Sequence, residues 1–418
     1  MTAAPDVLLQ RLRDSFTPGP APALVGVAVS GGGDSTALLQ LLALWSQDGG
    51  PAVHAVTVDH ALRPAAGAEA AQVASDCAAV GISHETLKWQ GWDGRGNLSD
   101  QARRARYALM ADWAQDRGIT CIALGHTADD QAETFLMRLA RGSGVDGLSG
   151  MQVWRRHLGI DWVRPLLGSR RAELRDWLVA KKLIWIEDPT NDDLAYDRVK
   201  ARRALAALAP LGVTTTGLLA TTERMRMARV VLSDAAFDLA QKAAKIIAGD
   251  VVFDRALLDA APLETRLRLL SHALCWVASA EYRPRFSALT AAYSQVSHGR
   301  RATLHGCLIM PKTREIRVTR EAASVAAVQA KVTDLWDSRW RLSGPKTADA
   351  TVCNLGERGL AQCPDWRATG HPRATLLASP AVWRGDQLIS APLAGKAAGW
   401  SAELHRGDDD FFTSLIVH

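Results

Sequence analysis

The chain has 418 residues, of which 48% are hydrophobic and 22% are charged, and its formal net charge is +5 at pH 7. This composition is that of an ordinary globular protein, and it excludes a disordered or low-complexity chain. At about 150 residues per domain, the length predicts two or three domains. The small positive charge is mild evidence for a polyanionic partner.

The first 16 residues contain charged side chains and no continuous apolar run, which is not typical of a signal peptide. No apolar run elsewhere approaches the ~20 residues that span a bilayer. We therefore expect a cytoplasmic protein without a membrane segment. Six cysteines are scattered without a C-x-x-C pair, a pattern that favours neither a zinc site nor a disulfide framework.

The first half of the chain alternates β-like runs with helix-length segments. The runs are residues 24–30, 52–58, 84–89 and 119–125. This rhythm predicts an α/β domain with a doubly wound parallel sheet and helices on both faces. The first and last runs are apolar throughout, as strands buried on both faces should be. Ligands of such sheets bind beyond the carboxyl ends of the strands, so the residues after each run are candidate site residues.

From about Thr214 the sequence changes to long helical segments rich in Ala, Leu and Arg, followed by a hairpin joined near Pro311. Beyond about Ala326, short strands, turns and tryptophans predict a small β-rich region. We therefore predict three domains, namely an α/β catalytic domain at residues 1–213, a helical domain with a basic hairpin at 214–325, and a β-rich domain at 326–418.

The string SGGGDS, residues 30–35, follows the first strand and precedes a helical segment. Its glycine N–H groups and the helix N-terminus would point at an anion. The lysine of a Walker loop is missing, since Gly-Lys-Ser/Thr occurs nowhere in the chain. A tight turn with Asp34 or Ser35 as helix N-cap is the alternative interpretation. The string resembles the PP-loop of the N-type ATP pyrophosphatases, which cleave ATP between its α and β phosphates.

The resemblance implies that this loop holds the departing pyrophosphate and leaves the α-phosphate open to attack, so that the chemistry is adenylylation. It also implies that Asp34 takes part in catalysis and helps to hold Mg²⁺. The implied ATP-binding residues are those of the loop and the helix start: Ser30, Gly31, Gly32, Gly33, Ser35 and Thr36.

Four further stretches narrow the resemblance: VDHALRP (58–64), NLSDQARRARY (97–107), GHTADDQAETF (125–135) and EDPTNDDLAYDR (187–198). Together they resemble the tRNA(Ile)-lysidine synthetase family, closely over residues 20–205 and only in layout beyond. The resemblance implies a ligase that joins lysine to the wobble cytidine of an isoleucine tRNA with a CAU anticodon. The cytosine 2-oxo oxygen would attack the α-phosphate of ATP, and the lysine amine would then displace AMP.

His126, Asp130 and Glu133 have the spacing i, i+4, i+7, which places them along one face of a helix that starts early enough. In the alternative interpretation Asp129 and Asp130 only cap this helix. The resemblance implies that Asp130 and Glu133 lie near the lysine substrate and that His126 lies beside the nucleotide. A lysine amine, with a pKa of about 10.4, needs a proton acceptor, and we favour Asp130.

Arg103 and Arg106 lie at i, i+3 on a helical segment, where a solvated basic face is the ordinary interpretation. The resemblance implies instead that they face substrate or tRNA phosphates. Asp59 and Arg63 follow the second strand, where PP-loop enzymes hold the adenosine. The resemblance also carries a substrate role to Arg198 and Arg202, although residues 199–200 depart from the usual family pattern.

A basic segment, residues 297–320, carries a single acid among its cations. Its alternate residues would share one face of a hairpin. They either guard an edge strand against aggregation or contact phosphates, and the resemblance favours tRNA contacts by Arg300, Arg301, Lys312, Arg314 and Arg317. Trp336, Trp340, Trp366 and Trp383 could stack on RNA, but for most of them a core position is the better prediction.

Two other functions compete with the ligase. One is a different PP-loop enzyme that modifies tRNA, such as a thiolase, which needs reactive or cluster-binding cysteines; neither Cys77 nor Cys121 has a C-x-x-C context. The other is a non-catalytic ATP-binding regulatory module, against which Asp130, Glu133 and the basic second half argue. The expected partners are ATP, Mg²⁺, lysine and the isoleucine tRNA, and a homodimer is a candidate assembly.

Overall fold

The computed structural model describes residues 5–17, 22–60, 66–90, 98–187, 193, 195, 197–347 and 349–416. The chain forms two compact units, residues 1–229 (unit 1) and residues 230–417 (unit 2). The boundary falls inside one long helix, Thr215–Ala243. The division into three domains stays a prediction. In the described residues no single helix has the length and apolar character of a membrane span, although one bent pair, residues 197–211 and 215–243, meets both criteria.

Unit 1 alternates strands and helices along most of its length. Its elements are α1 (Pro5–Asp14), β1 (Leu24–Ala28), α2 (Gly33–Gln47), β2 (Ala52–Asp59), α3 (Ala66–Ala79), β3 (Ser83–Lys88), α4 (Leu98–Asp116), β4 (Cys121–Leu124), α5 (Ala128–Ala140), α6 (Val145–Leu148), β5 (Trp154–His157), β6 (Ile160–Val163), α7 (Arg171–Ala180) and α8 (Asp197–Leu208), and α9 (Thr215–Ala243) begins in it. Within the described residues, six strands form one sheet in the order β3-β2-β1-β4-β6-β5. Only β5 runs antiparallel, against β6. The predicted doubly wound parallel fold is confirmed.

Helices cover both faces of this sheet because the central strands are apolar on both sides. On one face, Leu38 of α2 and Trp177 of α7 belong to the same buried core as Val25 of β1. On the other face, Met110 and Trp113 of α4 belong to a second buried core. The continuous apolar run of β1 thus serves two cores, one on each side.

The strand order changes direction at β1, which pairs in parallel with β2 on one side and with β4 on the other. The loops that follow β1 and β4 therefore meet at a topological switch point, where α/β sheets bind ligands. Gly125, directly after β4, permits this meeting, since a Cβ there would lie 3.1 Å from the Cα of Ser35. The fold thus brings the SGGGDS loop and the residues around His126 to one place.

Unit 2 is built around antiparallel sheets. Its elements are β7 (Ala244–Ile247), β8 (Asp250–Asp254), α10 (Arg255–Ala260), α11 (Leu263–Ala278), α12 (Phe286–Ser297), β9 (Ala302–Leu304), β10 (Cys307–Pro311), β11 (Glu315–Arg320), α13 (Ala322–Val325), β12 (Ala330–Lys331), β13 (Trp340–Ser343), β14 (Thr351–Asn354), α14 (Gly356–Leu360), α15 (Arg373–Leu377), β15 (Pro380–Arg384), β16 (Gln387–Ser390), β17 (Ser401–Leu404) and α16 (Asp409–Ile416). The sheets have the orders β7-β8-β11-β10-β9, β12-β14-β15-β16 and β13-β17. The predicted hairpin corresponds to β9, β10 and β11, since its first run, residues 302–310, is divided into two strands. It belongs to a larger sheet whose strands β7 and β8 were not predicted. The β-rich C-terminal region is confirmed.

The basic hairpin does not present all its cations on one exposed face. Arg317 is 5% exposed and donates from Nη1 to Asp250 Oδ2 at 3.0 Å. This corrects the prediction of a tRNA contact for Arg317, because a side chain paired inside the core is not available to a phosphate. Lys312 is exposed but pairs with Glu315 at 2.7 Å. Residues 316–319 of β11 are all buried, so tertiary packing covers both faces of this strand.

The other predicted basic residues of the hairpin region, Arg300, Arg301 and Arg314, are exposed, and their contact with tRNA stays a prediction. Among the tryptophans, Trp336, Trp340 and Trp383 are buried in the cores of unit 2, whereas Trp366 is only half-buried. The prediction that most of these rings belong to the core is therefore confirmed.

Candidate active site at the switch point

The loop between β1 and α2 is held in shape by its own hydrogen bonds. Gly31 has φ +84°, and a Cβ there would lie 2.5 Å from Ile186 Cδ1, so this position requires glycine. Ser35 Oγ accepts from Ser30 N at 3.1 Å and donates to Gly32 O at 3.0 Å. The N-cap of α2 is Gly32 without a side-chain cap, so the alternative with Asp34 or Ser35 as N-cap is wrong. The first turn of α2 is thereby left facing the cavity beside it.

This cavity has a volume of about 980 Å³. Most of the predicted site residues line it: Ser30, Gly32, Gly33, Asp34, Ser35, Asp59, Arg106, His126, Asp130, Glu133, Arg198 and Arg202. Thr36 lies behind the loop, where its Oγ1 donates to Gly31 O at 3.2 Å, and neither of these two residues lines the cavity. Arg63 lies outside the described residues. The structure thus gathers most of the predicted residues around one space of ligand size.

One arginine that the sequence analysis missed connects three of these acids. Arg171, the first residue of α7, donates from Nε to Asp34 Oδ2 at 3.0 Å, from Nη2 to Asp130 Oδ1 at 3.3 Å and from Nη1 to Glu133 Oε1 at 3.4 Å. We call these four side chains the carboxylate cluster. Arg202 Nε donates to the same Glu133 oxygen at 3.0 Å. Burial opposes the charge of Arg171, but Asp130 and Asp34 outweigh it and raise the pKa of the guanidinium.

Asp130 has two roles in this arrangement, one for each carboxylate oxygen. Its Oδ2 accepts from the backbone N and from Oγ1 of Thr127, both at 2.8 Å, and completes a capping box at the start of α5. The capping interpretation is therefore correct for Asp130, yet Oδ1 still faces Arg171. Asp129 instead accepts from the backbone N of Arg171 at 2.7 Å, which fixes the start of α7 against α5. Asp129 and Asp130 thus hold the first turns of α5 and α7 in place beside the cavity.

Two carboxylate oxygens of the cluster have no hydrogen-bond partner among the described residues, namely Asp34 Oδ1 and Glu133 Oε2. Both are buried, and the Glu133 side chain is only 2% exposed. An unpaired buried acceptor costs about 1–3 kcal/mol, and such atoms in native proteins are commonly satisfied by a ligand, an ion or water. Burial raises the pKa of Asp34 even though Arg171 acts in the opposite direction. The cluster is therefore suited to bind a cation.

Burial sets the charge of the neighbouring histidine. It lowers the pKa of His126 to about 3, and the ring Nδ1 is buried without a partner among the described residues. Burial alone would raise the pKa of Asp130, but Arg198 and Arg171 lower it below its ordinary value. At neutral pH the site therefore contains a neutral imidazole beside an ionised carboxylate.

A second cavity of about 530 Å³ adjoins the first and is strongly cationic. Its lining contains a single acid, Asp146, and the arginines Arg103, Arg106, Arg138, Arg155, Arg164, Arg198 and Arg229. The two cavities share His60, Arg106, His126 and Arg198. The Nε atoms of Arg106 and Arg164 are buried without a partner among the described residues, and burial lowers the pKa of both guanidinium groups. This lining is suited to a polyanion.

Besides Arg171, two residues that line the cavities were not predicted from the sequence, namely His60 and Arg164. A signal existed for each arginine. Arg171 occupies the first turn of a helix, where the helix dipole disfavours a cation, so its presence there needs a compensating anion. Arg164 interrupts the apolar run at the end of β6 and is 4% exposed. His60 directly follows Asp59 in the motif VDHALRP. A charged residue in a place that disfavours charge is the transferable signal.

Comparison with known proteins agrees with this geometry. A family profile described as a PP-loop domain matches residues 7–209. The tRNA(Ile)-lysidine synthase of Ruegeria pomeroyi is 48% identical over 418 residues, which is 100% of both chains. The enzyme of the same name from Wolbachia pipientis wMel is 35% identical over 76% of each chain. That of Hyphomonas neptunium is 39% identical over 73% of this chain and 86% of the relative. The chain belongs to the tRNA(Ile)-lysidine synthase family and contains its PP-loop domain.

Proposed function

We propose that the protein joins lysine to the wobble cytidine of an isoleucine tRNA with a CAU anticodon and converts ATP to AMP and pyrophosphate. Membership in the family supports this reaction. The observation that carries it is the arrangement of two adjoining cavities at the switch point. One contains the PP-loop and the carboxylate cluster, and the other is lined by arginines.

ATP would lie in the larger cavity with its β and γ phosphates on the loop. Backbone N–H groups at the start of α2 point toward anions, and Ser30 supplies a hydroxyl. This grip on the leaving pyrophosphate leaves the α-phosphate accessible to attack. Mg²⁺ commonly takes one or two protein carboxylates together with substrate phosphates, and Asp34 Oδ1, buried and unpaired among the described residues, fits that role. The ion would offset the negative charge of the phosphates.

The wobble nucleotide would occupy the arginine-lined cavity. Enzymes that act on a base take it out of its stack, and a volume of about 530 Å³ is sufficient for one nucleotide. Arg103, Arg106 and Arg164 would bind the phosphates that flank the base. The cytosine 2-oxo oxygen would then reach the α-phosphate of ATP near His60 and His126, which line both cavities. An O–P bond forms and pyrophosphate leaves.

The charges of the two linings favour lysine binding in the larger cavity, which contains the carboxylate cluster. The ammonium groups of lysine are repelled by the arginines and attracted by Asp130 and Glu133, with Glu133 Oε2 as the acceptor that lacks a partner among the described residues. His126 stays neutral and does not repel the substrate. The lowered pKa of Asp130 makes it a better ammonium ligand than proton acceptor, which disfavours it as the general base. Before the second step the reacting ammonium loses one proton to water. Its nitrogen then bonds to carbon-2, AMP leaves with the oxygen, and the nitrogen releases a second proton to water.

The test uses the purified full-length protein, ATP and an unmodified transcript of the isoleucine tRNA. Pyrophosphate and AMP are measured with each amino acid separately. We expect transfer of labelled lysine at one lysine per AMP formed, and no transfer when the target cytidine is replaced by uridine. A methionine tRNA with the same anticodon is the matched control. Transfer that does not depend on lysine, or that survives the loss of the cytidine, would contradict the proposal.

A thiolase finds less support in the site. Burial raises the pKa of both Cys77 and Cys121 to about 12, so these thiols stay protonated at neutral pH and are poor nucleophiles. A regulatory ATP-binding module would have no need for buried carboxylate oxygens beside the nucleotide. The homodimer, the cytoplasmic location and the tRNA contacts of Arg300, Arg301 and Arg314 stay predictions.

A further inference from the structure

Arg171 occupies the position in which a bound cation would be expected. Its guanidinium contacts Asp34, Asp130 and Glu133 at the same time, although these acids belong to two different helices. It takes one oxygen of Asp34 and one of Glu133, while the second oxygen of each is buried and unpaired among the described residues. The side chain is 20% exposed and lines the larger cavity. A guanidinium thus neutralises the acids to which the proposed function assigns an ammonium.

The three contacts of Arg171 differ in length. The bond to Asp34 is 3.0 Å, whereas those to Asp130 and Glu133 are 3.3 and 3.4 Å, at the long end for an N–H···O bond. The backbone of Arg171 is anchored independently, since its N–H donates to Asp129 at 2.7 Å. The guanidinium can therefore change partners by side-chain rotation while the helix stays in place.

An anion on the PP-loop would compete for this guanidinium. Arg171 is bonded to Asp34, the aspartate of the loop itself, and phosphate is a strong partner for a planar guanidinium. When ATP binds, the weaker contacts to Asp130 and Glu133 are those that would be lost. Arg202 would keep its bond to Glu133 Oε1, and Arg198 lies 3.8 Å from Asp130 Oδ1. The oxygens then open to an ammonium would be Glu133 Oε2 and Asp130 Oδ1.

We infer that Arg171 is a positioning residue whose contacts depend on the nucleotide. Without ATP its guanidinium occupies the place of the lysine ammonium beside Asp130 and Glu133. With ATP bound it contacts phosphate instead, so that ATP strengthens lysine binding. This inference rests on the proposed function and assigns to it an order of binding. The coupling requires a group that prefers different partners in the two states, and Arg171 has three carboxylates and a phosphate to choose between. Without its guanidinium, the acids would bind an ammonium whether or not the nucleotide is present.

The test measures lysine binding to the full-length protein by calorimetry, without tRNA, with and without a non-hydrolysable ATP analogue and Mg²⁺. For the wild type we expect the analogue to tighten lysine binding by about five-fold or more. In Arg171→Gln, lysine should bind more tightly than to the wild type in the absence of the analogue, and the analogue should add nothing. Arg171→Lys should keep part of the coupling, because it keeps the charge. A merely structural role would predict weaker binding in both conditions.

Arg170→Gln is the matched control, because Arg170 is the adjacent exposed arginine and pairs with Asp129; it should keep the wild-type coupling. Circular dichroism and thermal melts check that each variant is folded. Equal lysine affinity with and without the analogue in the wild type, or unchanged coupling in Arg171→Gln, overturns the inference. Absence of lysine binding to the wild type in both conditions overturns the proposed function itself.

Discussion

Each unit of the molecule buries acids against an arginine, but the two sets of contacts differ in what they leave unpaired. In unit 1, Arg171 serves three carboxylates, and two of their oxygens have no partner among the described residues. In unit 2, Asp250 Oδ2 accepts from Arg317 at 3.0 Å and from Thr375 Oγ1 at 2.5 Å. The residues of the first set line a cavity of about 980 Å³, whereas those of the second line neither of the two cavities described above.

The difference separates a site from a structural ion pair. A buried pair of one acid and one base balances its own charge and holds strands together, as Asp250 of β8 and Arg317 of β11 do. The atom that this pair leaves without a hydrogen-bond partner among the described residues is a donor, Arg317 Nε, and not a carboxylate oxygen. A cluster with more acceptors than donors beside a cavity keeps binding capacity for a ligand, at a cost to stability. Removing a member of the first should therefore affect activity, and removing a member of the second should affect folding.

Asp34→Asn is expected to have the largest effect. Loss of the loop carboxylate should lower AMP formation at least about a hundred-fold. The fold should not suffer, because burial raises the pKa of Asp34 above its unfolded value. The ionised Asp34 carboxylate therefore lowers the free energy of unfolding. This loss is absent below the pKa of Asp34 in the unfolded chain and complete above its pKa in the folded protein, and the neutral amide of asparagine avoids it at pH 7.

Rates of AMP formation, thermal melts and tRNA binding on filters check this prediction, with the exposed Asp176→Asn as the matched control. A variant that keeps its activity, or a folded variant that loses its tRNA affinity, would contradict the assignment of Asp34 to the chemical step rather than to tRNA binding.

Arg317→Ala should destabilise unit 2 by about 3–5 kcal/mol, because it leaves the charge of Asp250 buried without its partner. The double variant with Asp250→Asn should recover much of that loss. Lys312→Ala, which removes an exposed pair, should cost no more than about 1 kcal/mol. Urea denaturation followed by fluorescence measures all three. Equal costs for Arg317 and Lys312 would remove the distinction between the buried and exposed pairs.

A smaller effect is expected for the exposed arginines. Replacing Arg300, Arg301 and Arg314 together with alanine should weaken tRNA binding and reduce its salt dependence by about 0.7–0.9 for each phosphate contact that is lost. Arg317→Ala, measured where it is folded, should keep the wild-type slope. If the triple variant has an unchanged slope, the hairpin is structural and tRNA binds elsewhere.

The sequence was sufficient to predict the α/β sheet, because its central strands are apolar throughout and its helices are long. It was insufficient for β7, because Ala244–Ile247 continue the apolar pattern of the preceding helix. Hydrophobic periodicity distinguishes a strand from a helix only over a segment that contains more than one repeat. Such short strands are determined by their pairing in the sheet, which no local pattern encodes.

The same limit applies to the site. Sheet topology predicts that Asp34, Asp130 and Glu133 lie near one another, because they follow strands whose ends must meet, whereas their roles come from the family resemblance. Arg171 could not, since its bond to Asp34 spans 137 positions and depends on where α7 packs. Arg317 was predicted to be exposed because alternation suggests one solvent-facing side of a strand. Packing in unit 2 instead buries residues 316–319 of β11 on both faces, which no local pattern encodes.

The most direct test of the central claim is the affinity of Glu133→Gln for lysine, measured by calorimetry in the presence of the ATP analogue. If the unpaired oxygen of Glu133 binds an ammonium, lysine binding should weaken about ten-fold or more while the analogue binds as before. Glu223→Gln, an exposed substitution of the same kind, should bind lysine like the wild type. Unchanged lysine affinity in a folded Glu133→Gln protein would contradict the account.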